Sequence, residues 1–131
     1  MRTHVAARTA AILLALEGLA TIGLVVWQIA ALISGDTDSI ESAIALVVLT
    51  AVGAVAVFAF AVVTWRGESW GRSGGIVVQL LILAVALGAV TGAYADPATG
   101  VMLAVPAIVT LVLLVIAVRA AGREARDAAS E

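Results

Sequence analysis

Glu17 is the residue of this sequence whose chemistry most needs an explanation, because it is an acid inside a long apolar segment. It lies nine residues after Arg8, which in a helix is a distance of roughly 13 Å. An ionised carboxylate at that depth in a bilayer costs about 3 kcal/mol on insertion scales. We therefore expect Glu17 to face the other helices and to be protonated or hydrogen-bonded.

Gln79 and Thr110 fall at a similar depth in later apolar segments. Gln79 lies seven residues after Arg72, roughly 10 Å along a helix. Thr110 lies nine residues before Arg119, roughly 13 Å along a helix. We expect Gln79 to donate an amide N–H to Glu17 and Thr110 to supply a hydroxyl. Hydrogen bonds of this kind contribute about 0.6 kcal/mol on average in membranes.

This polar layer has a functional and a structural interpretation. An acid inside a membrane is typical of a proton or cation site. The alternative is a set of hydrogen bonds that fixes which helix packs on which. The layer contains no second acid, no basic partner and no continuous polar path, which favours the structural interpretation.

The composition indicates that these side chains lie in a membrane. Of the 131 residues, 63% are hydrophobic and 12% are charged, and the mean hydropathy is +1.18. A chain with so few polar side chains cannot cover a water-soluble fold, which excludes an ordinary soluble enzyme, a DNA-binding module and a disordered chain. We expect an integral membrane protein that contacts the lipid bilayer and binds no nucleic acid.

The residue types that form metal or catalytic centres are scarce. The chain has no cysteine and a single histidine, His4, which excludes thiolate sites and histidine clusters within one chain. The connections between the apolar segments hold scattered acids and arginines. We expect a non-catalytic protein without a cofactor.

Four apolar segments are long enough to cross a bilayer core of about 30 Å as helices of about 20 residues. Their continuous apolar character favours helices over the alternating strands of a barrel. Short connections make successive helices antiparallel neighbours. The sequence therefore predicts an all-α membrane protein, a single up-down bundle of four transmembrane helices. The segments and the charged tail cover roughly residues 10–33, 42–65, 74–94, 101–118 and 119–131.

The charges predict how this bundle is oriented. All seven arginines fall on one side, namely Arg2, Arg8, Arg66, Arg72, Arg119, Arg123 and Arg126. The connections on the other side hold acids instead, namely Asp36, Asp38, Glu41 and Asp96. By the positive-inside rule the arginine side is cytoplasmic. We expect a multi-pass protein of the bacterial plasma membrane with both termini inside.

Five of these arginines are also candidate contacts for anionic lipid headgroups, because basic residues near an anionic leaflet attract it. They are Arg66, Arg72, Arg119, Arg123 and Arg126. The last three share one face if the fourth helix continues into the tail, and we expect that continuation. In the third segment Gly88 and Gly92 form a GxxxG pair, which predicts a close helix contact either within the bundle, the alternative we favour, or between protomers.

Three fragments resemble known proteins: ALEGLA in the first segment, WRGESWGRS in the middle connection and IVVQLLIL in the third segment. They resemble small uncharacterised four-helix integral membrane proteins of actinobacteria over roughly the first two-thirds of the chain. The resemblance implies a four-helix membrane fold and brings no activity with it. The residues that carry it are Glu17, Trp65, Arg66, Trp70, Arg72 and Gln79.

In outline the chain is also similar to small multidrug resistance transporters, which have four short spans and a glutamate in the first. Glu17 matches that glutamate in kind and approximate place. The resemblance implies binding of protons and cationic compounds within a dimer. The aromatic residues that line such a site are mostly missing here, and Phe58 is the one candidate at that depth.

Three functions are left open by these observations. The first is a non-catalytic structural or accessory subunit that associates with a partner membrane protein in a larger assembly. The second is a small homo-oligomeric, proton-coupled transporter that uses Glu17. The third is a pore former of the holin type. The short connections and the nearly all-apolar surface favour the first.

Overall fold

The fold is an all-α arrangement of four long helices, as the sequence predicts. The computed structural model describes residues 2–35 and 37–131, with side chains from His4 onwards. Asp36, one of the acids assigned above to the outer side, lies outside the described residues, as does the side chain of Arg2. All four helices are long and apolar enough to cross a membrane. They are α1 (Arg2–Ile33), α2 (Ile40–Trp65), α3 (Ser69–Thr91) and α4 (Pro97–Ala129).

The helix ends differ in detail from the apolar segments. The third helix begins at Ser69 and ends at Thr91, whereas the sequence predicts 74–94. The fourth helix begins at Pro97, because the Asp96 side chain accepts the backbone N–H of Ala98 and proline suits a first helical position. The expected helical continuation into the tail is confirmed, since α4 ends only at Ala129.

Consecutive helices are antiparallel. Near the arginines, Leu14 of α1 packs with Ala61 of α2, whereas at the other end the Gln28 side chain of α1 contacts Thr50 of α2. The α3–α4 pair shows the same relation, because Gly75 lies against Leu114 while Gly100 lies against Ala86. The helices α1 and α4 also touch, as do α2 and α3, which closes the bundle.

The apolar core lies toward the arginine end of the bundle. It is formed by Ala10, Leu14, Val57, Ala61 and Leu114. Leu14 and Leu114 are completely buried. Most other large apolar side chains are exposed on the outer faces of the helices, as expected of surfaces that contact lipid.

Glycines at the start of α3 let this helix approach its neighbours closely. A Cβ atom at Gly71 would lie 2.7 Å from the backbone nitrogen of Thr64 and 2.9 Å from the carbonyl carbon of Val63. A Cβ atom at Gly75 would lie 3.0 Å from a methyl carbon of Leu114. The sequence reasoning missed this pair, because it assigned Gly71 to a connection.

The predicted close contact at Gly88 and Gly92 is wrong within the bundle. A Cβ atom at Gly88 would meet nothing within 4 Å, and Gly92 caps the C-terminus of α3. The physical reason is helical geometry. Ala86 faces Gly100 of α4, and Gly88, two residues later, is rotated by roughly 200° away from that face.

We expect Gly71→Ala and Gly88→Ala to have opposite effects on stability. At Gly71 the new methyl group meets backbone atoms that cannot move aside, so the free energy of unfolding should fall by about 1–3 kcal/mol. At Gly88 the methyl group meets open space, and the better helix propensity of alanine should leave stability equal or raise it by up to about 1 kcal/mol. Unfolding of both variants in detergent micelles, followed by circular dichroism, measures the difference. Equal losses in the two variants would contradict the packing described for α3.

The cap of α4 predicts a dependence of stability on pH. The Thr99 hydroxyl donates to Oδ2 of Asp96 at 2.5 Å and the Ala98 N–H donates to Oδ1 at 3.2 Å. These hydrogen bonds, that from Thr99 foremost, hold the pKa of Asp96 below its ordinary value. A lowered folded-state pKa contributes stability that is present above the unfolded pKa of about 4 and is lost as the pH falls through the folded value.

We therefore expect Asp96→Asn to be less stable than the wild-type protein at neutral pH and equally stable in strong acid. Thermal unfolding of both proteins over a series of pH values below neutrality measures this difference. Thr99→Ala removes the main donor and should weaken the pH dependence of the wild-type protein. A difference that is constant over the whole range would exclude this account.

Candidate functional site

The candidate site is a cluster of polar side chains on the inner faces of three helices. Glu17 projects from α1 one turn after the buried Leu14 and is partly buried. Gln79 of α3 and Thr110 of α4 are completely buried. Because each of these positions lies on the face of its helix that meets the bundle, the three side chains reach the same point.

The structure brings together the three side chains that the sequence singled out. The Gln79 amide donates through Nε2 to Glu17 Oε2 at 2.6 Å. The Thr110 hydroxyl donates through Oγ1 to Glu17 Oε1 at 3.0 Å. Each carboxylate oxygen thus receives one donor from a different helix, and Glu17 joins α1 to both α3 and α4.

The Gln79 amide gives the cluster a further chemical capacity. Its Oε1 atom is buried and has no hydrogen-bond partner among the described residues. An amide carries two donors on its nitrogen and an acceptor oxygen. It can donate to an ionised Glu17, or, rotated by half a turn, accept from a protonated one. The cluster can therefore hold Glu17 in either protonation state.

A cavity of about 440 Å³ opens beside Glu17 on the side away from the arginines. It lies between α1 and α4 and is lined by Thr21, Met102 and Pro106 among other residues. A second cavity of about 440 Å³ lies between α2 and α3 and includes Phe60. Both cavities reach Thr21 of α1. The lining of both is mostly apolar, and Glu17 and Thr21 contribute the polar part of the first.

A second polar contact between helices was not anticipated from the sequence. The Gln28 side chain donates through Nε2 to the Thr50 hydroxyl at 3.2 Å. That hydroxyl donates in turn to the backbone carbonyl of Leu46 at 2.7 Å. The signal that could have revealed this contact is spacing, because Gln28 follows Glu17 by eleven residues, about three helical turns, and so lies on nearly the same face.

The five arginines proposed as lipid contacts fall into two groups. Arg72 donates through Nη1 to the carbonyl of Gly67 at 2.7 Å and so supports the α2–α3 turn. Arg126 donates through Nε to the carbonyl of Gly122 at 3.2 Å. The remaining three, Arg66, Arg119 and Arg123, have exposed side chains, as does Arg126.

The described residues offer no group of three or more histidine, cysteine, aspartate or glutamate side chains that could hold a metal ion. No protein family, curated protein or solved structure matches this chain. The class of the protein therefore rests on its own fold and site. It is a small helical protein with four potential membrane-spanning helices. One carboxylate, held by an amide and a hydroxyl, distinguishes its interior.

We expect the hydrogen bond from Thr110 to contribute measurably to stability. Thr110→Val keeps the shape of the side chain but leaves Glu17 Oε1 without this donor, so the free energy of unfolding should fall by about 0.6–1.7 kcal/mol. Thr91→Val is the matched control, because the exposed Thr91 hydroxyl bonds only to the Leu87 carbonyl of its own helix. Reversible unfolding in mixed micelles compares the two. A loss in Thr91→Val as large as that in Thr110→Val would show that the contact to Glu17 does not carry the effect.

Proposed function

We propose that this chain is a non-catalytic structural or accessory subunit of a larger membrane assembly. The observation that supports the proposal is the use of both Glu17 oxygens in contacts with α3 and α4. A carboxylate held in this way organises the bundle. The apolar outer faces of all four helices then provide the surface for a partner membrane protein, through packing of the kind that associates helices in lipid.

We further propose that the protein resides in the plasma membrane of an actinobacterium, with both termini in the cytoplasm. The arginines support this orientation, because they gather at the end of the bundle that holds the termini and the α2–α3 turn. The three resembling fragments support the proposed source.

A second candidate function is proton-coupled transport by a homo-oligomer. The specific observation in its favour is that Glu17 lines the cavity between α1 and α4. A site for a transported ion or compound needs such an opening, and the Gln79 amide can accommodate both protonation states of Glu17. A holin-type pore is a third proposal, which an intact membrane potential after overexpression of the chain would exclude.

Two substitutions of Glu17 distinguish the subunit from the transporter. Glu17→Gln keeps a carbonyl oxygen to accept from Thr110 and removes the titratable group, whereas Glu17→Leu removes both. For a subunit, we expect Glu17→Gln to behave like the wild-type protein and Glu17→Leu to be impaired. For a transporter, both variants should be inactive.

The measurement is purification of the tagged chain from its native membranes in mild detergent, with mass spectrometry and determination of the mass of the eluted complex. We expect a stoichiometric partner protein with the wild-type chain and with Glu17→Gln. The same variants are tested for rescue of a cell that lacks the chain. A homo-oligomer without a partner, combined with failure of Glu17→Gln to rescue, would overturn the subunit proposal in favour of transport.

A further inference from the structure

A groove between α1 and α2 lies at the arginine end of the bundle, apart from the Glu17 cluster. It has a volume of about 410 Å³ and an almost purely apolar lining. Small side chains form its floor, since Ala11 and Ala61 are 3% and 4% exposed. Larger side chains stand beside them at the surface, since Ile12 and Val62 are about half exposed. The result is a narrow apolar channel that faces outward.

Tryptophan and arginine side chains border one end of this α1–α2 groove. Trp65 and Arg66 line it there, where α2 ends. The guanidinium carbon of Arg8 lies 5.4 Å from the centroid of the Trp65 ring, over its face. Within the described part of the chain, the Arg66 guanidinium has no hydrogen bond or ion pair. The Arg66 guanidinium is therefore available to bind an anion at this end of the groove. Trp65 places this end at the membrane–water interface, where tryptophan is enriched.

The length of the groove indicates what occupies it. Its α2 side extends from Phe58 to Arg66, about 12 Å along the helix axis. One leaflet contributes about 15 Å to the bilayer core. The groove is therefore about as long as the depth that an acyl chain occupies in its own leaflet. An apolar groove of this length, with a cation at the end that faces the headgroups, is complementary to a lipid with an anionic headgroup.

We propose that the α1–α2 groove binds an acyl chain of an anionic phospholipid from the leaflet at the arginine end, with the phosphate at Arg66. The methylene groups lie on the alanine floor between Ile12 and Val62. Trp65, held by Arg8, borders the chain where it joins the glycerol. Basic pockets between transmembrane helices are known to bind the headgroups of anionic lipids.

Trp65 is itself the reporter for a test of this proposal. Trp27→Phe and Trp70→Phe leave Trp65 as the one indole of the full-length protein. This single-tryptophan protein is reconstituted into phosphatidylcholine vesicles that contain a minority of phosphatidylglycerol with brominated acyl chains, which quench a tryptophan in contact with them. We expect more quenching than the mole fraction of phosphatidylglycerol predicts, and less from brominated phosphatidylcholine at the same fraction.

Matched variants separate a specific site from general attraction to the surface. Arg66→Gln should weaken the preference for phosphatidylglycerol by about fivefold, the equivalent of one basic contact. Arg119→Gln removes the same charge from the same end of the bundle, but the exposed Arg119 does not line the groove, and its effect should be small. Ala15→Leu fills the groove and should reduce quenching by both lipids. Ala104→Leu is its control, since Ala104 lines the groove between α3 and α4 instead.

Three outcomes would overturn the proposal. Equal quenching by the two brominated lipids would show that the groove takes lipid without regard to charge. Equal effects of Arg66→Gln and Arg119→Gln would show that the preference comes from the general surface potential and not from a site at Arg66. Quenching by neither lipid would show that protein covers the groove. Because the comparison of headgroups uses the unfilled groove, it decides the question even if Ala15→Leu does not fold.

Discussion

A carboxylate inside an apolar bundle must find hydrogen-bond donors, and the arrangement of this protein's helices follows from how Glu17 finds them. One donor comes from α3 and one from α4, so the first helix is tied to both members of the second hairpin. The individual bonds are worth little, about 0.6 kcal/mol each. Their importance is geometric, because a rotation of α1 or a shift of α3 along its axis would leave a polar group without a partner in a medium that cannot supply one.

The packing on either side of Glu17 is unequal. Toward the arginines, Leu14 and Leu114 are completely buried and the glycines of α3 allow the backbones to approach closely. Away from the arginines, a cavity between α1 and α4 opens beside Glu17. The carboxylate thus lies between the apolar core and this cavity. In this position Glu17 accepts hydrogen bonds from α3 and α4 and also lines the cavity between α1 and α4.

At the arginine end of the bundle, Arg66 and Arg72 flank the same turn and make different contacts. Arginines at a membrane interface set topology, and here Arg72 additionally bonds the turn whose Gly67 has a positive φ of 81°. Arg66 lies in the same turn and makes no such bond, and it borders an apolar groove instead. The two arginines on either side of this turn, Arg66 at the end of α2 and Arg72 at the start of α3, therefore make different contacts.

The sequence by itself determined the class of fold, because composition and the length of each apolar segment leave no soluble alternative and few membrane ones. It also predicted the meeting of Glu17, Gln79 and Thr110, since depth along a helix is a simple function of residue number.

Which faces of the helices meet was decided only by the tertiary structure. Gly88 belongs to a packing motif, but a Cβ atom there would contact nothing. Gly71 packs closely against α2, although the sequence analysis assigned it to a connection. The Gln28–Thr50 contact and the α1–α2 groove were likewise visible only in the tertiary structure. In a chain that is apolar all round, periodicity does not mark the inner face of a helix, and the rotation of each helix is set by packing and by the few polar side chains that must pair.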